Sequence, residues 1–182
     1  MNKPKIIKID FGKDYIDLDH DIENANWLYE ARKTKFKYRG FFINLAERYG
    51  ESHPKFTKAK VQKRSYFAFG AGRGLKYVWS FVEKKKTAQI ELYIDVGDRQ
   101  GNLRIFNFFK EKRELIEAEL SELSWEELGG KRACRVALCR PGTIVKINKL
   151  NDEQKKEISD WFMEVTPKFV GVFSMYIDQL PK

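Results

Sequence analysis

The sequence predicts an α+β domain: an antiparallel sheet of about five strands with helices packed mainly on one face. Three observations carry this expectation. Residues 65–95 hold three short runs of alternating apolar residues separated by tight turn signals, the pattern of an antiparallel meander. Residues 102–122 and 151–180 space their apolar residues at three- and four-residue steps, as amphipathic helices do. A second hairpin, residues 125–140, falls between them. The order is therefore strand-strand-strand-helix-strand-strand-helix, with segregated strands and helices sharing one core. A chain of 182 residues with 42% hydrophobic residues can bury such a core as a single domain. We divide it into an N-terminal arm (1–23), a helical basic segment (24–50) and the α+β core (64–182).

Each element has a local reason. Residues 5–10 are a short apolar run suited to an edge strand, and residues 10–23 alternate acids with Phe11, Tyr15, Ile16 and Leu18. Asn24 or Asn26 is positioned to cap a helix starting at Trp27. Phe41, Phe42, Leu45, Ala46 and Tyr49 continue at helical spacing, Gly40 is expected to divide the stretch, and Gly50 suits a stop. Pro54 forbids a helix through His53, so residues 51–63 read as a charged connection. Strands are expected at 65–69, 76–82 and 88–95, with turns at 70–74 and 83–87. Tyr77, Trp79 and Phe81 share one strand face, as do Ile90, Leu92 and Ile94. In the helix 102–122, Leu103, Phe106, Phe109, Ile116 and Leu120 form the stripe. Gly129 and Gly130 turn into a strand at 131–140. Asn151 caps the last helix with Gln154 at the capping-box position, and Pro167 is expected to kink or break that helix near Thr166. The core should include Trp79, Ile90, Leu92, Ile94, Phe106, Phe109, Ile116, Val136, Leu138, Phe162 and Phe169.

Charge is the strongest functional signal. Residues 31–64 hold eleven basic residues against Glu47 and Glu51, which equals the chain's whole net charge of +9. Such a concentration attracts polyanions. Phe36, Tyr38, Phe41, Phe42, Tyr49 and Phe56 are interleaved with it, and aromatic rings can stack on bases. Helical spacing assigns Phe41, Phe42 and Leu45 to the core instead. The phosphate-holding residues are expected to be Lys33, Lys35, Lys37, Arg39, Lys58, Lys60 and Arg64, with Arg73 and Arg135 adding contacts. The charges before Gly40 and those of residues 55–64 should then lie close together on one surface.

Other motifs point to less. Residues 63–69 (KRSYFAF) share a basic-aromatic pattern with RNA-recognition strands, but the element order differs from that fold. Gly70, Gly72 and Gly74 join two strands, whereas a phosphate cradle leads from a strand into a helix. Glu83-Lys84-Lys85 fits the Glu-x-Lys of nuclease cores, with Glu91 and Asp95 as further acids, but it falls in a tight turn. His20 and His53 lack partners at metal spacing, and no residue implies a cofactor. Cys134 and Cys139 have opposite strand parity and cannot bond each other, so a reducing cytoplasm is the default expectation. No apolar run is long enough to span a membrane.

From Phe41 to Leu180 the chain resembles domain-of-unknown-function family 4268. The matching residues are Phe41, Phe42 and Leu45, then Tyr66 and Phe67 ahead of the glycine turn, then Glu91-Leu-Tyr-Ile94. The helix from Asn102 to Leu120, Trp125-Glu-Glu-Leu128, Lys131-Arg-Ala-Cys-Arg-Val136 and Trp161-Phe162 complete it. In that family the domain often follows a restriction-type nuclease, so the resemblance implies association with DNA-processing or defence systems. It carries no catalytic residues. With no nuclease domain upstream, the expectation is a non-catalytic nucleic-acid-binding or accessory module, DNA being favoured over RNA. The alternatives are a protein-interaction subunit whose basic face meets an acidic protein, and a metal-dependent nuclease using Glu83, Lys85, Glu91 or Asp95. Neither a cofactor nor an oligomeric state is specified.

Overall fold

The computed structural model describes residues 22–54, 56, 60–142 and 146–180, with side chains from residue 29 onward. The strand at 5–10, most of the arm, His20 and Lys58 lie outside the described residues. A long helix, α1 (Ile22–Ser52), leads into β1 (Tyr66–Gly72), β2 (Leu75–Val82) and β3 (Thr87–Ile94). Two helices, α2 (Arg99–Lys110) and α3 (Arg113–Leu120), cross to β4 (Ser124–Glu126) and β5 (Cys134–Cys139), and α4 (Asp152–Ile177) closes the chain. Single-turn 3-10 helices lie at Glu83–Lys85 and Ile147–Lys149. The strands form one antiparallel sheet in the order β1-β2-β3-β5-β4, so β5 returns between β3 and the edge strand β4.

Register explains the two faces of the sheet. Phe67 lies opposite Trp79, Trp79 opposite Ile90, and Ile90 opposite Leu138. These residues look toward the helices, where Phe42, Leu45, Phe106, Phe109, Phe162, Phe169 and Phe173 join them in one buried cluster. Of the expected core residues only Leu138 is partly exposed. Trp79 is the centre: fully buried, ringed by Tyr49, Phe56, Phe67, Phe69 and Phe162, its indole Nε1 donating to Thr166 Oγ1 at 2.9 Å. The alternate residues form a polar second face. There Arg135 bridges Glu91 (3.2 Å) and Glu126 (2.7 Å), and Lys85 also pairs with Glu126.

Four local expectations are corrected. The helix expected from Asn24 or Asn26 already begins at Ile22 and passes through Gly40 and Gly50 to Ser52. Burial of Tyr38, Phe42, Leu45, Ala46 and Tyr49 along one stripe spans Gly40, so packing on both sides outweighs its weak helix propensity. The helix at 102–122 is two helices. It starts at Arg99 because Asp98 accepts from the Gly101 N–H at 2.7 Å. It breaks at Glu111–Lys112 because α2 packs on β3 and β5 whereas α3 packs on α4, two partners that one axis does not serve. Pro167 does not divide α4, whose Phe162, Phe169 and Phe173 are all fully buried on either side of it. The cap of α4 is as expected: Asn151 and Gln154 form a reciprocal capping box.

Candidate polyanion-binding groove

At the end of the sheet where β1 begins and β2 ends, the chain leaves a recess beneath the N-terminal half of α1. It has two joined parts of about 640 and 480 Å³, which share Tyr38, Glu83 and Lys146. Four separate segments supply cations to it. α1 brings Lys35, the strand approach brings Lys63 and Arg64, the β2–β3 turn brings Lys84 and Lys86, and the Ile147–Lys149 turn with its preceding residue brings Lys146 and Lys149. Among the described residues two carboxylates, Glu30 and Glu83, line it with them.

The floor is apolar. Tyr38 is buried with its ring centroid 5.3 Å from that of Phe81, and Val82 and Thr87 complete it. Glu83 stands between the halves, 3.3 Å from Lys146 Nζ and accepting from the Tyr38 hydroxyl at 3.4 Å. Burial, reinforced by the charge of Glu83, pushes the Tyr38 hydroxyl up to about 12. It therefore stays neutral and donating at physiological pH. The turn that presents Lys84 and Lys86 is closed by the Lys86 N–H donating to the Glu83 carbonyl at 3.2 Å, with Lys86 in the left-handed region at φ 50°.

The expected phosphate-holding residues divide. A helix turns about 100° per residue, so Lys35 and Arg39 lie on one flank of α1 and Lys33 and Lys37 on the other. Lys35 faces Lys63 and Arg64 across the recess. Arg39 is exposed. On the other flank, Lys33 pairs with Glu30 at 3.6 Å and Lys37 Nζ donates to the Asn148 carbonyl at 3.5 Å, so both are tied to residues that themselves line the recess. Lys60 and Arg64 border a second shallow groove of about 670 Å³ along β1. Arg73 sits at the opposite end of the β1–β2 hairpin, donating to the carbonyls of Leu180 (2.7 Å) and Asp178 (3.3 Å) at the foot of α4. Its turn is built by left-handed backbone at Gly72 (φ 91°) and Gly74 (φ 80°). Arg135 is held in its two ion pairs on the second sheet face.

Of the residues of the nuclease alternative, Lys85 and Glu91 join one network through Glu126 and Arg135, whereas Glu83 and Asp95 are held in separate ion pairs. Glu83 pairs with Lys146, Lys85 with Glu126, Glu91 with Arg135, and Asp95 with Arg132 at 2.7 Å. Burial pushes the Glu91 carboxyl up against the pull of Arg135, which spends two N–H groups on Glu126 and one on Glu91. Glu126 goes the other way: burial raises it, but hydrogen bonds from Arg135, Lys85 and Ser124 outweigh that and hold it at about 2. Among the described residues no group of three or more His, Cys, Asp or Glu side chains could hold a metal ion. Cys134 and Cys139 are free, and His53 stacks on Tyr49 with centroids 4.0 Å apart. No helix among the described residues is long and apolar enough to cross a membrane.

Lys84, Lys86, Lys146 and Lys149 were not legible as site residues. Over residues 101–182 the charges nearly cancel, so Lys146 and Lys149 leave no mark in a segment total. The available signal was local: Lys146 and Lys149 stand three apart in a stretch without acids.

A family model described as a domain of unknown function, DUF4268, matches residues 37–177. That span takes in the whole sheet and every cation of the groove except Lys35. No curated protein and no solved structure matches the chain.

Proposed function

We propose that this chain, which belongs to the DUF4268 family, is a non-catalytic nucleic-acid-binding module that uses the groove beneath α1. One observation carries the reading: seven cations from four distant segments line one recess that holds two carboxylates. Folding brings these like charges together against their mutual repulsion, and a polyanion relieves it. Lysine-rich, open recesses suit phosphates, which need charge more than fixed geometry. Lys35, Lys63, Lys146 and Lys149 hold phosphates, Arg64 offers a planar fork, and Glu83 keeps Lys146 in place until an anion competes for it. Lys and Arg outnumber every other kind of polar side chain in the lining, which suits binding of the backbone-positioning kind.

The test is a salt titration. Labelled DNA and RNA oligonucleotides are followed by fluorescence anisotropy from 20 to 500 mM salt. Each phosphate neutralised contributes about 0.7 to the slope of log affinity against log salt for single strands and about 0.9 for duplex. Charge reversal at Lys35, Lys63 and Lys146 should flatten that slope by about 2 or more on this scale. Absence of binding to any nucleic acid at low salt overturns the proposal. Salt-dependent binding of an acidic peptide in its place would assign the face to a protein partner.

A further inference from the structure

Building on the nucleic-acid reading, we infer that the groove takes a single strand, with unpaired bases laid on Phe36 and Tyr66 while the lysines hold the phosphates. Among the described residues three aromatic side chains are largely exposed: Tyr29 (51%), Phe36 (44%) and Tyr66 (39%). All three stand at this end of the molecule, on or beside α1 and the start of β1, and the other described rings are buried or partly buried. Each has a cation against its face. Lys63 Nζ lies 4.1 Å from the Phe36 centroid, Arg64 Cζ 5.5 Å from that of Tyr66, and Lys33 Nζ 5.8 Å from that of Tyr29.

Lys63, Arg64 and Tyr66 line the recess, and Phe36, whose ring lies against Lys63, stands on the flank of α1 next to them. Tyr66 borders both this recess and the shallow groove along β1, which places a ring where a strand would pass from one to the other. The Arg64 guanidinium also bonds the Tyr66 hydroxyl, fixing the ring at the lip. Duplex nucleic acid presents its phosphates outward and keeps its bases stacked inside, so it makes no use of rings at the rim of a recess. A single strand offers both a charged backbone and free base faces, the combination that interleaved cations and rings recognise. Stacking is indifferent to base identity because every base has a π-face, so weak sequence preference follows.

The experiment compares a 12-nucleotide single strand, its duplex and an abasic single strand of equal charge at one salt concentration. The wild-type chain and the variants Phe36→Leu, Tyr66→Leu and Tyr66→Phe are used, with circular dichroism showing that each is folded. The single strand should bind at least tenfold more tightly than the duplex. Each Leu variant should lose about tenfold for the single strand with an unchanged salt slope, and the abasic strand about a hundredfold. Tyr66→Phe, which keeps the ring, should stay near wild type. If the duplex or the abasic strand binds as tightly as the single strand, or the Leu variants match wild type, this inference is overturned while the nucleic-acid reading stands. If no nucleic acid binds at low salt, both fall.

Discussion

Replacing Glu83 by Gln should tighten nucleic-acid binding, the opposite of what removing a catalytic acid does in a nuclease. Glu83 carries the one negative charge common to both halves of the groove. A phosphate seated there would lie about 7 Å from the carboxylate, where two unit charges repel by about 0.6 kcal/mol at the dielectric of water and about 2 kcal/mol at an effective dielectric of 20. The Glu83 and Lys146 side chains are 43% and 58% exposed, so the lower figure governs. About 0.6 kcal/mol is roughly a threefold gain in affinity, and releasing Lys146 from its 3.3 Å pair adds to it. Folding stability should move by less than about 1 kcal/mol, because an exposed pair contributes little. The assay is anisotropy with a labelled single strand at 50 mM and 300 mM salt, and the gain should shrink at the higher concentration as screening grows. The Tyr38 hydroxyl, followed by its ultraviolet titration, should move down from about 12 yet remain raised, because burial is the larger cause. Weaker or unchanged binding at low salt would refute the reasoning, and so would a loss of strand cleavage in the variant.

Four further outcomes follow from the same geometry. Trp79→Phe should destabilise the fold by about 2–4 kcal/mol in urea denaturation, since it leaves a void in the core and strips Thr166 Oγ1 of its donor. Gly40→Ala should stabilise it by about 0.5–1 kcal/mol, because a Cβ there meets nothing within 4 Å and the site is helix interior. Arg73→Ala should cost about 1 kcal/mol of stability through its lost bonds to the Leu180 and Asp178 carbonyls, and leave nucleic-acid affinity unchanged. Glu91, whose folded carboxyl is raised above its ordinary 4.5, contributes stability that is present below that value and lost as pH rises through the raised one. Glu91→Gln should therefore remove a decline in stability between acid and neutral pH, read by denaturation at pH 4, 5.5 and 7. Glu126, held at about 2, supplies the opposite dependence, lost only as pH falls toward that value.

Strand alternation and helical spacing were enough to read most of the architecture. Tyr77, Trp79 and Phe81 had to share a face whatever lay above them, and they meet the helices. The capping box at Asn151 was equally readable, because its partners are three residues apart. What misled were the local breakers. Gly40 and Pro167 each weaken a helix by a known amount, but α1 and α4 are held by buried aromatics on both sides of those positions. Asp98 was missed as a cap because the apolar stripe it precedes starts only later.

The groove divides in the same way. That residues 31–64 carry a field able to draw in a polyanion is legible from the residues alone, because charge is a property of composition and needs no fold. Helical periodicity also assigns Phe42 to the core, where it lies, but it leaves out Tyr38, which is buried, and Phe41 is only partly buried. Which cations act together is set by how the chain packs in three dimensions. Packing seated Lys35 with Lys63 and Arg64, sent Arg73 to the foot of α4, and tied Arg135 to Glu91 and Glu126. The same packing brought Lys84 and Lys86 of the β2–β3 turn, and Lys146 and Lys149 from a half of the chain whose charges nearly cancel, to the recess. A binding site depends on charges within a Debye length in space, and distance along a chain says nothing of that until the chain is folded.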